Sequence, residues 1–378
     1  RWDGDFLTVR GLIESGDLIV VDGAKGSVII APDEATVKRA QRVIRQMGRR
    51  EAERERLRGL AAETRDGYRI ELGANIEFPE EISHVKLHGA DGVGLFRTEF
   101  LYLNRDRLPE EEEQFEIYRK VVEQMAPQPV IFRTVDLGGD KLAHYLTTSR
   151  ELNPYLGLRA IRLCLEKPEL FRTQLRAILR ASAYGPLRIM FPMITRVEEL
   201  QQARNILAKV RRELRAEKQP MASEIEIGSM IEVPSAALAT DILARHVDFL
   251  SIGTNDLIQY TLAVDRVNEA VAHLYDPYDP SVLRLISHVI TAAHEAGIWV
   301  GVCGEMASDP MIAALLVGMG VDELSMGPML IPSVKATLRN ILLTQARELA
   351  REVLRLPNGQ QIRTAVARRR RQFTRGAL

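Results

Sequence analysis

The stretch Asp248-Phe-Leu-Ser-Ile-Gly-Thr-Asn-Asp-Leu-Ile-Gln-Tyr-Thr-Leu-Ala-Val-Asp-Arg266 decides how the chain is read. Its apolar run over 249–252 predicts a short buried strand, Gly253 a turn, and the residues from Thr254 a helix. Asn255 and Asp256 fall where strand becomes helix. Backbone N–H groups at such a junction can receive an anion, and a carboxylate there can hold a hard cation. Arg266 follows far enough along the chain to fold back over a bound phosphate. A capped helix after a buried strand would read the same in isolation, so the neighbouring segments must arbitrate.

The same unit recurs. Apolar runs predict strands over 70–76, 92–96, 130–135, 187–193, 225–231, 249–252, 298–302 and 323–326, with helical patterns over 109–125, 155–182, 197–217, 235–245, 280–296 and 309–319. Eight strands alternating with helices predict an α/β fold, a (β/α)8 TIM barrel. A doubly wound open sheet would alternate too, but no Gly-x-Gly-x-x-Gly follows the first strand.

The flanks read differently. Residues 1–33 give two short strands around a Gly-rich turn, too little to bury a core alone. Residues 34–66 are rich in Arg, Glu and Ala and predict a solvated helical linker. The barrel is expected over 67–356. Residues 357–378 form a basic C-terminal tail through Arg368-Arg-Arg-Arg371, read as frayed and solvated. The chain opens at Arg1 without a Met, so a missing upstream segment is expected.

Bulk composition excludes several classes. The 378 residues carry 51 Lys plus Arg against 51 Asp plus Glu, so no net field draws nucleic acid or a membrane surface. No apolar run approaches the ~20 residues a spanning helix needs. Two cysteines, Cys164 and Cys303, give no disulfide framework, which suits a reducing, cytoplasmic setting.

In a barrel of this kind chemistry gathers at the C-terminal strand ends. Arg97 follows the second predicted strand, Arg133 lies near the end of the third, Glu232 ends the fifth, Asn255 and Asp256 follow the sixth, and Cys303 ends the seventh. Arg159, opening a later helix, could join them. Guanidinium forks match phosphate and carboxylate groups. Glu232 and Asp256 make a pair of hard oxygen ligands suited to Mg2+, which keeps several waters and leans on substrate oxygens. The seven histidines show no metal-ligand spacing. Taken alone, each arginine could be an ordinary ion-pairing residue and Cys303 a small buried one. Together they describe a site for a phosphorylated small acid with a divalent cation.

Gly94-Leu-Phe-Arg-Thr-Glu-Phe-Leu-Tyr102, Phe132-Arg-Thr-Val-Asp-Leu-Gly-Gly-Asp-Lys141, the 153–162 run, Ile189-Met-Phe-Pro-Met193, the opening stretch and Cys303-Gly-Glu305 resemble, in that order, the Enzyme I family of phosphoenolpyruvate–protein phosphotransferases. The resemblance covers most of residues 68–350. It implies a barrel that binds phosphoenolpyruvate with Mg2+ (Mn2+ possible) and forms a homodimer. It implies Glu232 and Asp256 as metal ligands, and Arg97, Arg133, Asn255, Asp256 and Arg266 as substrate contacts, joined by Arg159 and Lys141. Cys303 would protonate the enolate on the way to pyruvate. The family's phosphoryl acceptor is a histidine in a Gly-Gly-x-x-Ser-His type motif on a swivelling domain, which passes the group to a phosphocarrier protein of the sugar phosphotransferase system. That motif is absent from these residues, and 1–33 resemble the last strands of such a domain. The C-terminal part of a pyruvate phosphate dikinase or phosphoenolpyruvate synthase, a nitrogen-regulatory paralogue, and a non-catalytic phosphoenolpyruvate sensor are the alternatives.

Overall fold

A computed structural model describes residues 13, 16–22, 26–103, 105–138 and 152–373. The chain divides into two compact units, Arg1–Arg56 and Leu57–Leu378. In the first, β1 (Ile19–Asp22) and β2 (Ser27–Ile30) pair antiparallel with Ile19 opposite Ile30. A helix, Glu34–Leu57, follows. Asp33 starts it by accepting the Thr36 N–H at 2.8 Å, which satisfies one of the free donors of the first turn.

The second unit is the expected barrel. Its strands are β3 (Glu71–Ile76), β4 (Gly92–Phe96), β5 (Val130–Arg133), β6 (Leu187–Phe191), β7 (Ile227–Ile231), β8 (Phe249–Ile252), β9 (Trp299–Val302) and β10 (Glu323–Met326). They close in sequence order, β10 bonding back to β3. Every barrel pair is parallel, so helices must return the chain along the outside.

Alternation along each strand sorts side chains into two layers. On β8, Leu250 and Ile252 join the large outer core against the helices, while Phe249 joins an inner cluster with Leu95, Ile131, Met190, Met230 and Cys303. Phe249 stacks on Trp299 with ring centroids 4.6 Å apart. Such a contact contributes about 0.5–1.5 kcal/mol beyond its buried area. Gly228 makes the room, since a Cβ there would lie 2.4 Å from the Phe249 ring. Below this layer Gly73 and Gly94 leave space for the Glu323 carboxylate in the same way.

Several predicted elements end sooner than their apolar runs. β6 stops at Phe191, and Met193 two residues on has a positive φ of 56°. The single helix expected over 155–182 is a 3-10 turn, then Ala160–Glu166 and Pro168–Ala181, interrupted where Pro168 cannot continue the ladder. The helix expected over 235–245 divides at Ala239 into Pro234–Leu238 and Thr240–Leu243.

The C-terminal expectation is corrected. Residues 359–373 are not a frayed tail but a helix, Gly359–Phe373, with Ile362, Ala365, Val366 and Phe373 buried. Its arginines are used: Arg363 grips Asp276 through two bonds of 2.9 and 2.7 Å, and Arg368 meets Glu352 at 2.7 Å. The apolar spacing beneath the arginine run outweighs the charge. Among the described residues no helix is long and apolar enough to cross a membrane.

Candidate active site

On four strands the inward face, followed to the strand's end or just past it, delivers candidate site groups. Two residues beyond inner Leu95 comes Arg97; beyond Ile131, Arg133; beyond Met230, Glu232; beyond Gly301, Cys303. A different device supplies Asn255 and Asp256, which lie in the first turn of the helix Thr254–Leu262. Arg159 precedes Ala160–Glu166, in extended conformation. Arg97, Arg133, Arg159, Glu232, Asn255, Asp256, Arg266 and Cys303 all line one cavity of about 700 Å3 at the C-terminal mouth. Lys141 lies outside the described residues. A cavity of about 500 Å3 at the opposite end, by Arg188 and Arg211, gathers no comparable set.

The arginines are held by carboxylates that the strand-end pattern alone does not single out. Glu99 accepts from Arg133 at 3.0 Å and from the Asp136 N–H at 2.9 Å. Asp136 bridges the two central guanidinium groups, 3.0 Å from Arg133 and 2.8 Å from Arg159. Nearer solvent, Glu77 meets Arg97 at 2.7 Å, and Glu305 lies 3.9 Å from Arg266. Burial works against the charge on Arg133, but Glu99 and Asp136 more than offset it, so the guanidinium stays protonated. Its Nε is buried without a hydrogen-bond partner among the described residues, a donor left for a ligand. The signals were present in the sequence: Glu99, Asp136 and Glu305 sit in the same strand-end segments as Arg97, Arg133 and Cys303.

Glu232 and Asp256 are the poorly compensated acids. Glu232 Oε1 accepts the Met193 N–H at 2.6 Å. Burial first, then the charges of Asp256 and Asp136, push the Glu232 carboxyl up. Burial likewise raises Asp256, with Arg159 opposing at 3.7 Å. Among the described residues no group of three or more His, Cys, Asp and Glu is disposed to hold a metal ion unaided. A buried carboxylate pair that resists ionising fits a divalent cation completing its shell with ligand oxygens and water. The lining as a whole carries four arginines and six carboxylates, so once Glu232 and Asp256 are ionised negative charge is in excess there, and a cation beside that pair would offset it for an incoming anion.

Cys303 is 4% exposed, and burial pushes its thiol up to about 11. Its backbone is tied on two sides. Its N–H reaches the Ile252 carbonyl at 3.1 Å, and its carbonyl accepts from Asn75 Nδ2 at 2.9 Å. The next residue, Gly304, passes so close to Thr254 that a Cβ would lie 1.9 Å from Thr254 Oγ1. Beyond it the Glu305 N–H donates to Asn255 Oδ1 at 2.9 Å, and Asn255 Nδ2 donates back to the Glu305 carboxylate at 3.2 Å. The loop carrying the thiol and the helix carrying Asn255 and Asp256 are thereby fastened together.

Comparison with known proteins gives a consistent set. The family described as PEP-utilising enzyme, PEP-binding domain, matches residues 51–343. The chain is similar to the phosphoenolpyruvate-protein phosphotransferase of Geobacillus stearothermophilus, 48% identical over 361 residues, covering 96% of this chain and 62% of that protein. It is similar to that of Priestia megaterium, 50% over 334 residues, 88% and 58%. It is similar to that of Bacillus subtilis strain 168, 46% over 352 residues, 93% and 62%. The chain spans about three fifths of the length of these curated relatives.

Proposed function

Because this chain belongs to the PEP-utilising enzymes through their PEP-binding domain, we propose that it is the phosphoenolpyruvate-binding part of a phosphoenolpyruvate–protein phosphotransferase. The ligand's enol carbon bears a carboxylate and, through the enol oxygen, a phosphoryl group. Arg97, Arg133, Arg159 and Arg266, with Asn255, bind these two anionic groups. Glu232 and Asp256 hold Mg2+, or Mn2+, which when bound neutralises the carboxylate pair and draws charge from the phosphoryl oxygens. The phosphoryl group leaves through a loose transition state, so the guanidinium groups act by position and charge rather than by attack. The bond between phosphorus and the enol oxygen breaks, and the phosphoryl group passes to a histidine nitrogen on a domain outside these residues. The enolate of pyruvate remains. Cys303 gives its thiol proton to the methylene carbon, pyruvate departs, and solvent restores the thiol.

The observation that supports this reading is the convergence of arginines, a carboxylate pair and a protonated thiol on one cavity. In the same reading residues 1–33 are the end of a swivelling phosphohistidine domain and 34–66 the linker to the barrel. The phosphoryl group goes on to a phosphocarrier protein, as the first step of sugar uptake by the phosphotransferase system in the cytoplasm. The barrel forms a homodimer, which sedimentation at micromolar protein with Mg2+ and ligand would report; a monomer there removes that part.

Calorimetric titration with phosphoenolpyruvate tests the core of the proposal. Binding is expected with Mg2+ and is lost in chelator. Equal affinity in both sinks the metal assignment, and no binding in either sinks the substrate.

A further inference from the structure

Arg133 ends β5, yet its placement is set from a helix outside the barrel. The Arg133 carbonyl accepts from Thr98 Oγ1 at 3.1 Å. Thr98 Oγ1 in turn accepts from Gln174 Nε2 at 3.0 Å. Gln174 Oε1 accepts the Val135 N–H at 3.0 Å, which closes a ring of three hydrogen bonds around Arg133–Thr134–Val135. The remaining Nε2 proton goes to Tyr118 Oη at 3.3 Å, and that hydroxyl donates to Gln114 Oε1 at 3.1 Å.

The polarity of this ring is forced. Val135 N–H can only donate, so the amide oxygen of Gln174 must face it and the NH2 must face Thr98 and Tyr118. Thr98 then spends its one proton on the Arg133 carbonyl. Gln174 and Thr98 are both 0% exposed, so water has no access to replace a lost bond. Gln174 lies among Leu170, Phe171, Leu175 and Ile178 on the buried side of Pro168–Ala181, where an apolar residue would pack as well. What an apolar side chain cannot do is hold the end of β5. Glu99, the neighbour of Thr98, grips the guanidinium of the same arginine. The segment Thr98–Glu99 thus fixes Arg133 at both its backbone and its head, and Gln174 fixes that segment against β5.

We propose that Gln174 is a positioning residue for Arg133, setting through Thr98 where the guanidinium stands in the cavity and hence the affinity for a phosphorylated ligand. The inference rests on the function proposed above.

The test measures phosphoenolpyruvate affinity in Mg2+ by calorimetry on the 378-residue chain, with Tm and circular dichroism alongside. Gln174→Met and Thr98→Val are expected to weaken binding roughly 10- to 100-fold, the scale for losing a charge-assisted hydrogen bond to the ligand. Thr98→Ser, which keeps the hydroxyl, stays near wild type. In an Arg133→Ala background Gln174→Met and Thr98→Val have no further effect, because the residue they act through is gone. A lowered Tm with affinity retained overturns the positioning role, as does weakening that adds fully to that of Arg133→Ala. A wild-type chain that binds no phosphoenolpyruvate overturns the functional reading and this inference with it. Binding by wild type, lost in Arg133→Ala but kept in both Gln174→Met and Thr98→Val, overturns this inference alone.

Discussion

Replacing Cys303 by alanine removes the one proton donor assigned to the enolate, and the size of the loss follows from the thiol's surroundings. Burial lifts that thiol from its ordinary 9.0 to about 11. At pH 8 an ordinary thiol is about one-tenth thiolate, whereas Cys303 is about one-thousandth. It stands ready as an acid across the neutral range and is scarce as a base. The reverse of enolate protonation makes the thiolate the base that takes a proton from the methyl group of pyruvate. The chain with Mg2+ should therefore catalyse exchange of pyruvate's methyl protons into deuterated water, followed by NMR. Above the buffer background, the rate should climb about tenfold per pH unit from 7 to 10, tracking the thiolate fraction. Cys303→Ala should fall to background. Alkylation gives an independent reading: at pH 8 Cys303 should react about a hundredfold more slowly than an ordinary thiol, by its thiolate fraction alone. Exchange in Cys303→Ala at the wild-type rate, or a plateau below pH 9, refutes the reasoning.

The other predictions concern the two ends of the barrel. Burial raises the Glu323 carboxyl from 4.5 to about 7. The folded state then holds that proton more tightly, so stability is full below about pH 4.5 and falls as pH rises to 7, by about 3 kcal/mol in all. Glu323→Gln should recover about that amount in urea denaturation at pH 8 and nothing near pH 4.5; equal gains at both would discard the buried-charge account. At the mouth, burial and Asp256 keep Glu232 protonated to higher pH than an ordinary carboxyl. Mg2+-dependent ligand affinity should accordingly rise with pH through the neutral range, and Glu232→Gln should abolish both the rise and the metal dependence. A flat profile in wild type would mean that Glu232 is not the group the cation displaces a proton from.

The barrel strands are legible because each is a short apolar run beside a glycine or a charged turn, and because both their faces are largely buried. Their ends are less so. The run over 130–135 reads as one strand, but Val135 leaves the ladder to reach Gln174, and nothing local to Val135 announces that partner. The basic residues at 368–371 draw the eye from Ile362, Ala365 and Val366, whose spacing is that of a buried helix face. In the site, arginines at strand ends stand out because they suit an anion. Glu99 and Asp136 do not, since an acid beside an arginine repels the same anionic ligand. Their purpose is visible only once Asp136 is seen between two guanidinium groups. Gln174 is further removed still, a polar residue in an apolar helix stripe whose partners come from two other strand ends.

Gly304 carries no functional group, yet the approach of Thr254 leaves no room for even a methyl on it. In a saturation library of this chain, Gly304 should therefore score as harshly as the residues that line the cavity with charge. Any side chain there wedges the Cys303 loop away from the Asn255 helix and lengthens the gap between the proposed proton donor and the proposed anion site. Ranking positions by mutational tolerance would pick out Gly304 as a reactive residue, when it is the spacing gauge between the Cys303 loop and the Asn255 helix.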